Sequence, residues 1–304
     1  MFDKLLEQCD NLVFDGWEEF KIDIIQICTK FEDIEEFRNK LKVKLEYLVC
    51  ENGNDELKQY SSERMLAILY EIIEKYESKE NSEEFIIKNI GFTSFKELYI
   101  NKFMEEKNYL KVIDLALEWE TKDKRYSGLV FKWKKMRYIA YKKLSLNDEQ
   151  EKLATELLIN GEFDYYTELE ELHKDNIDGF YISIKEELKK NKGFNARSIY
   201  LKLIVLKDDI DEIMDYVRDN PQYIGEYAEM IVGKYRDEVV SIYRKYIKSR
   251  ANVATNRKQY QGVCSIIKRY TRLAGKSNLK EIVNDISMLF KNKPAFLDEL
   301  SKLK

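Results

Sequence analysis

His173 is the single histidine of this 304-residue chain, so imidazole chemistry has one place to happen. Glu170 stands three residues before it, which on a helix puts a carboxylate and an imidazole on one face. Di-iron carboxylate bundles use that spacing, but they need two such pairs. One histidine also excludes HExxH zinc hydrolysis and two-histidine metal cages within one chain. A Ser–His–Asp triad would have to use His173, and no nucleophile elbow accompanies it. The plain assignment is a helix-end imidazole beside Lys174, making a capping or surface contact.

Phosphate cradles are equally absent. The eleven glycines, at 16, 53, 91, 128, 161, 179, 193, 225, 233, 262 and 275, never lie closer than eight residues. Neither a GxGxxG turn nor a P-loop can be written. Carboxylates are abundant, with 56 Asp plus Glu, but their spacing selects none for acid–base work. The expectation is a chain that is not an enzyme and holds no cofactor or metal.

One charge feature stands apart. From Lys234 to Leu279 there are twelve basic residues against Asp237 and Glu238, a window of +10. The rest of the chain has 40 basic and 54 acidic residues, −14, and the sum is the formal −4. The residues expected to present the charge are Arg244, Lys248, Arg257, Lys258, Lys268, Arg269 and Arg272. A helix is predicted from Ala251 to Leu273, with Asn256, Tyr260, Val263, Ile267 and Tyr270 inward and Arg257, Gln261, Lys268 and Arg272 on the other side. Tyr235, Tyr243 and Tyr246 also interleave the window, and packing claims several of these rings before any base can stack on them. The outward cations have three possible counterparts: nucleic-acid phosphates, an acidic protein, or the acidic remainder of this molecule or a second copy.

The elements that position these residues are helices. Hydrophobic residues make up 44% and charged residues 36%, with only two prolines. Period-3.6 stripes recur, as in Tyr109, Val112, Ile113, Ala116 and Leu117, or Leu129, Trp133, Met136, Ala140 and Leu144. Further stripes are Leu153, Ala154, Leu157 and Leu158; Phe163, Tyr166 and Leu169; and Ile210, Ile213, Met214 and Val217. No strand alternation is sustained. Helices of about 10 to 18 residues, joined by brief polar or glycine-containing links, fold back as antiparallel pairs.

Glu106–Asp114 compares with Leu206–Asp215 and again with Lys234–Val240, each like the polar turn and second helix of a tetratricopeptide-like unit. The expected fold is all-α, a right-handed superhelical array of antiparallel helix pairs, a TPR-like α-solenoid. An N-terminal helical segment, residues 1–80, has longer helices over Lys40–Cys50 and Leu57–Tyr76, joined by Glu51–Asp55. The stretch Glu77–Glu83 is linker-like and marks a kink. The array then runs over residues 81–304. Asn220-Pro221 and Lys293-Pro294 each place proline at a first helical position, the latter opening a short helix that covers the end of the stack.

Met1–Glu7 carries acidic residues where a secretory signal needs a basic end and an apolar run. No apolar run approaches the ~20 residues of a membrane span. Cys9, Cys28, Cys50 and Cys264 have no short pairing and read as buried free thiols of a reducing compartment. The expected location is the cytoplasm.

Asn256-Arg257-Lys258-Gln259-Tyr260, followed by Lys293-Pro294-Ala295-Phe296-Leu297-Asp298-Glu299-Leu300, resembles the C-terminal helical region of bacterial SWIM zinc-finger proteins. There a repeat array ends in an Asn-Arg-Lys-x-Tyr helix and a closing Arg-Pro-Ala-Phe/Leu-Leu-Asp-Glu-Leu segment. The resemblance covers residues 195 to 304. It implies a role in DNA-associated or protein-assembly complexes. The family's finger uses CxC followed by CxH; this chain has neither, so no metal ligand is carried over. The function expected is that of a helical-repeat scaffold binding a protein partner. Binding of a nucleic-acid backbone through residues 234–276 is the alternative.

Overall fold

Helices end in this chain by a recurring device. The backbone takes positive φ at Lys107 (57°), Ser145 (55°), Gly161 (118°) and Asp208 (51°). At each, that residue's N–H reaches back three residues and the next N–H reaches back five. Lys107 thus donates to the Met104 carbonyl and Asn108 to that of Phe103, while Asp208 donates to Val205 and Asp209 to Ile204. Two orphaned carbonyls are satisfied each time, as in a Schellman end. Asn108 and Asp209 then cap the following helix, their side chains accepting the N–H of Lys111 and Glu212. A left-handed residue followed at once by an N-cap reverses the chain within a few residues.

The computed structural model describes residues 1–14, 17–53, 55 and 58–303. Among these there are seventeen α-helices and no strand, so the fold is all-α as the periodicity predicts. They are α1 (Phe2–Gln8), α2 (Glu18–Thr29), α3 (Glu35–Asn52), α4 (Gln59–Tyr76), α5 (Lys79–Lys88), α6 (Thr93–Glu105), α7 (Tyr109–Lys122), α8 (Ser127–Leu144) and α9 (Asn147–Ile159). There follow α10 (Tyr165–Leu172), α11 (Ile177–Lys190), α12 (Phe194–Leu206), α13 (Ile210–Asp219), α14 (Ile224–Val253), α15 (Arg257–Ala274), α16 (Lys276–Leu289) and α17 (Pro294–Ser301). None is long and apolar enough to cross a membrane. The chain divides into two compact units, Met1–Gln150 and Glu151–Lys304.

In the first unit α3 packs on α4 and α7 on α8. Ile22, Ile25, Leu41, Leu45, Met65 and Leu69 fill one core, and Ile100, Val112, Ala116, Trp119 and Trp133 another. Leu57 and Asn54, within the predicted N-terminal helix and joint, lie outside the described residues. The linker-like stretch 77–83 is largely the start of α5, where Ser78 accepts the Asn81 N–H. Cys9, Cys28 and Cys264 are buried free thiols, but Cys50 is exposed, off the Leu41, Leu45 and Leu48 stripe of α3.

In the second unit α11 to α16 pack chiefly on their sequence neighbours, and α17 lies on α15 and α16. Two expectations are corrected here. Lys234–Val240 is not a turn: it lies inside α14, which kinks at Tyr235 (φ −121°, ψ 38°) without breaking. The helix predicted over 251–273 is two pieces, because Ala251 belongs to α14 and Asn256 caps α15, accepting the Gln259 N–H. Asn256 is accordingly exposed, since a capping side chain turns back onto its own backbone. Pro221 opens a short 3-10 turn ahead of α14, and Pro294 stands at the start of α17.

Candidate functional site

The basic window builds two neighbouring helices. From Val239 to Lys280 the chain holds no acidic residue, so α15 carries no carboxylate at all. Three residues join α14 to α15, and the pair runs antiparallel: Arg236 reaches the Leu273 carbonyl at 3.2 Å and Tyr243 packs on Tyr270, centroids 5.6 Å apart. Val239, Tyr243, Ile247 and Ala251 bury one stripe of α14, and Tyr260, Val263, Cys264, Ile267 and Tyr270 bury the facing stripe of α15. Three of the interleaved tyrosines, Tyr243, Tyr260 and Tyr270, are therefore core, and Tyr260 stacks on Phe296 at 4.6 Å.

With about 100° per residue, side chains at 244 and 248 flank the buried stripe of α14 on one side and those at 246 and 250 on the other. The first flank is covered by carboxylates of α16 and α17. Arg244 pairs with Glu281 at 2.9 Å and Asp285 at 3.4 Å, and Lys248 with Asp285 at 2.8 Å. The hydrogen bond from Lys248 holds the Asp285 carboxyl below its ordinary value. Arg257 pairs with Asp298 at 2.7 Å on α17, and Lys293 donates to the Ala254 carbonyl at 2.9 Å. Lys293 and α17 thus close the α14–α15 turn.

The second flank is open. A cleft of about 700 Å³ is lined by Tyr246, Arg250, Val253, Lys258, Gly262 and Ile266. Farther along the same pair a cavity of about 210 Å³ is lined by Arg269, Arg272 and Tyr243 together with Glu226 and Glu229. Lys268 is exposed on the outer face of α15. The structure thus separates the seven predicted residues. Arg244, Lys248 and Arg257 make ion pairs; Lys258, Lys268, Arg269 and Arg272 have no carboxylate within 4 Å among the described residues. Arg250, which contributes to the window's charge but stands outside those seven, lines the cleft. Its position four residues after Tyr246, in an acid-free stretch, is the signal that marks it.

Other polar clusters are accounted for within the unit. Asp209 accepts from Tyr181 and Lys185 at 2.5 and 2.9 Å, and Glu212 from Tyr200 and Lys189 at 2.7 and 2.9 Å. Burial opposes ionisation of both carboxyls, but these hydrogen bonds outweigh it and hold them below their ordinary values. The same bonds keep Lys185 protonated against its burial, the reverse of what a nucleophilic amine needs. His173 ends α10 with Nε2 3.1 Å from Glu151 Oε1 and its ring stacked on Phe180 at 4.6 Å, whereas Glu170 turns to Lys207 at 2.5 Å. The Glu170–His173 spacing therefore brings no shared site together. No group of three or more His, Cys, Asp and Glu able to hold a metal is found among the described residues.

Compared with protein-family models, with curated proteins and with solved structures, the chain finds no match.

Proposed function

We propose that the chain is a non-enzymatic helical-repeat interaction protein that binds a protein partner on the face made by α14 and α15. The observation that carries this reading is the acid-free stretch 239–280, whose cations Arg250 and Lys258 on the open flank have no carboxylate within 4 Å among the described residues. Uncompensated charge gathered beside a cleft that mixes Tyr246, Val253 and Ile266 with Asn256 and Gln259 fits recognition of an acidic protein surface. In this proposal the array is TPR-like and right-handed, runs over residues 81–304, is closed by α17, and works in the cytoplasm. The likeness of residues 195–304 to the SWIM-associated helical region fits a place in protein assemblies. Lysine-directed crosslinking of the complex purified from cells tests it. Partner crosslinks are expected at Lys258 and Lys268, and crosslinks confined to Met1–Gln150 refute it.

A second reading, binding of nucleic-acid phosphates, is favoured by Lys258, Lys268 and Arg272 following one another along the exposed side of α15. Labelled duplex and single-stranded DNA and RNA, titrated at low and moderate salt, test it. Affinity should fall steeply with salt if several phosphates are neutralised. No binding at low salt excludes it.

A further inference from the structure

We infer that the open flank of the α14–α15 pair receives an acidic amphipathic helix from the partner protein, laid in the cleft between Arg250 and Lys258. The inference rests on the reading above and names the shape and charge of what is bound. The molecule's own first flank is the precedent. There α16 supplies Glu281 and Asp285, four residues apart, to Arg244 and Lys248, also four apart, while Ile282 and Ile286 are buried. A helix edge that presents two carboxylates four residues apart beside a buried isoleucine stripe is thus what this basic pair already accepts on one side.

The other side carries cations of the same kind. Arg250 is on α14 and Lys258 on α15, and neither has a carboxylate within 4 Å among the described residues. Between them the cleft exposes apolar surface: Val253 is 59% exposed, and Tyr246 and Ile266 are half-buried. Gly262 lies in its wall with nothing within 4 Å of where a Cβ would stand, so a helix could approach the α15 backbone closely there. At about 700 Å³ the cleft accommodates several side chains of a docked helix. An extended nucleic-acid strand would leave Val253 and Ile266 unused and finds Tyr243, Tyr260 and Tyr270 buried beyond stacking reach, with Tyr246 alone of the interleaved rings in the cleft.

The test uses the full chain and a fluorescein-labelled synthetic helix with Leu every three or four residues and Glu along both flanks, read by fluorescence anisotropy. The same peptide with Gln for Glu is the control. Saturable binding is expected, about tenfold weaker for the Gln peptide, a difference of roughly 1.4 kcal/mol. Arg250→Gln with Lys258→Gln should weaken binding at least tenfold, and Gly262→Trp should do the same by filling the cleft without changing charge. Lys245→Gln, exposed on α14 away from the cleft, should leave it unchanged. Circular dichroism on each variant confirms that the fold is kept. Equal affinity for the two peptides, equal loss on Lys245→Gln, or no saturable binding overturns the inference, as does a DNA duplex that outcompetes the acidic helix. If the peptide fails while partner crosslinks still fall on α14 and α15, the helix is wrong and the protein-binding reading stands. If the peptide binds but crosslinks fall only on Met1–Gln150, that reading fails instead.

Discussion

Asp123 shows what a single side chain carries here. It accepts two hydrogen bonds from Lys96 Nζ, at 2.7 and 2.8 Å, and one from the Trp133 indole at 2.8 Å, all within the core of the first unit. Asp123→Ala would leave a buried ammonium without its counter-charge, so a loss of about 3–5 kcal/mol in urea unfolding is expected. Replacing Lys96 and Asp123 together by apolar residues of similar volume should cost far less, since no lone charge remains. Asp209 and Glu212 give a pH signature. Both carboxyls titrate below their ordinary 3.8 and 4.5, so the folded state holds their charge more tightly than the unfolded chain does. Their stabilisation is complete above those ordinary values and disappears as pH falls through the lowered folded ones. Thermal melts from pH 6 to pH 3 should therefore show a drop beginning near the ordinary carboxylate range, and Asp209→Asn with Glu212→Gln should flatten it. A drop of equal size in the double variant would assign the acid sensitivity to other groups. None of these partners is visible in the chain itself: 27 residues separate Lys96 from Asp123, and only packing brings them together.

At the scale of the element, spacing is a good guide to helices and a poor one to their ends. Stripes such as Ile213, Met214 and Val217 are buried as a 3.6-residue period requires, because burial follows directly from face geometry. The matched turns before Tyr109 and Ile210 are also legible, since Lys107-Asn108 and Asp208-Asp209 pair a left-handed residue with a capping side chain. The Lys234–Val240 stretch has a similar mix of residues but no cap and no left-handed backbone, and so the helix bends and continues. Two glycines of the candidate face show how context separates identical residues. Gly262 is helical with open space around a Cβ, so Gly262→Ala should raise stability by up to about 1 kcal/mol. Gly275, at φ 89° and ψ 169°, occupies a region nearly reserved for glycine. Gly275→Ala should cost about 1–3 kcal/mol and loosen the α15–α16 join. Chemical denaturation of both variants checks the opposite signs.

For the whole molecule, the formal −4 hides where its parts meet. Acids from outside the basic window return to it in space: Asp211 to Lys234, Glu281 to Arg244, Asp285 to Lys248 and Asp298 to Arg257. The window's charge was legible in the sequence, but its division into a paired flank and an open flank was not. That division depends on α16 and α17 packing against one side of the α14–α15 pair. The cations left over, Arg250, Lys258, Arg269 and Arg272, add little to folding, because among the described residues no carboxylate lies within 4 Å of them. Each substitution to Gln should thus change stability by no more than about 0.5 kcal/mol. Their effect should appear in association kinetics instead. As salt rises from about 0.01 M to 0.15 M, the distance over which charges act shrinks from about 30 Å to 8 Å. Stopped-flow association of an acidic partner with the native chain should slow about tenfold across that range, as electrostatic steering predicts. The fourfold Gln variant should start slower at low salt and respond weakly to added salt, while unfolding at nearly the native urea concentration. A fourfold variant with the native salt dependence would place the steering charges elsewhere on the molecule, and one that unfolds early would make these cations part of the fold.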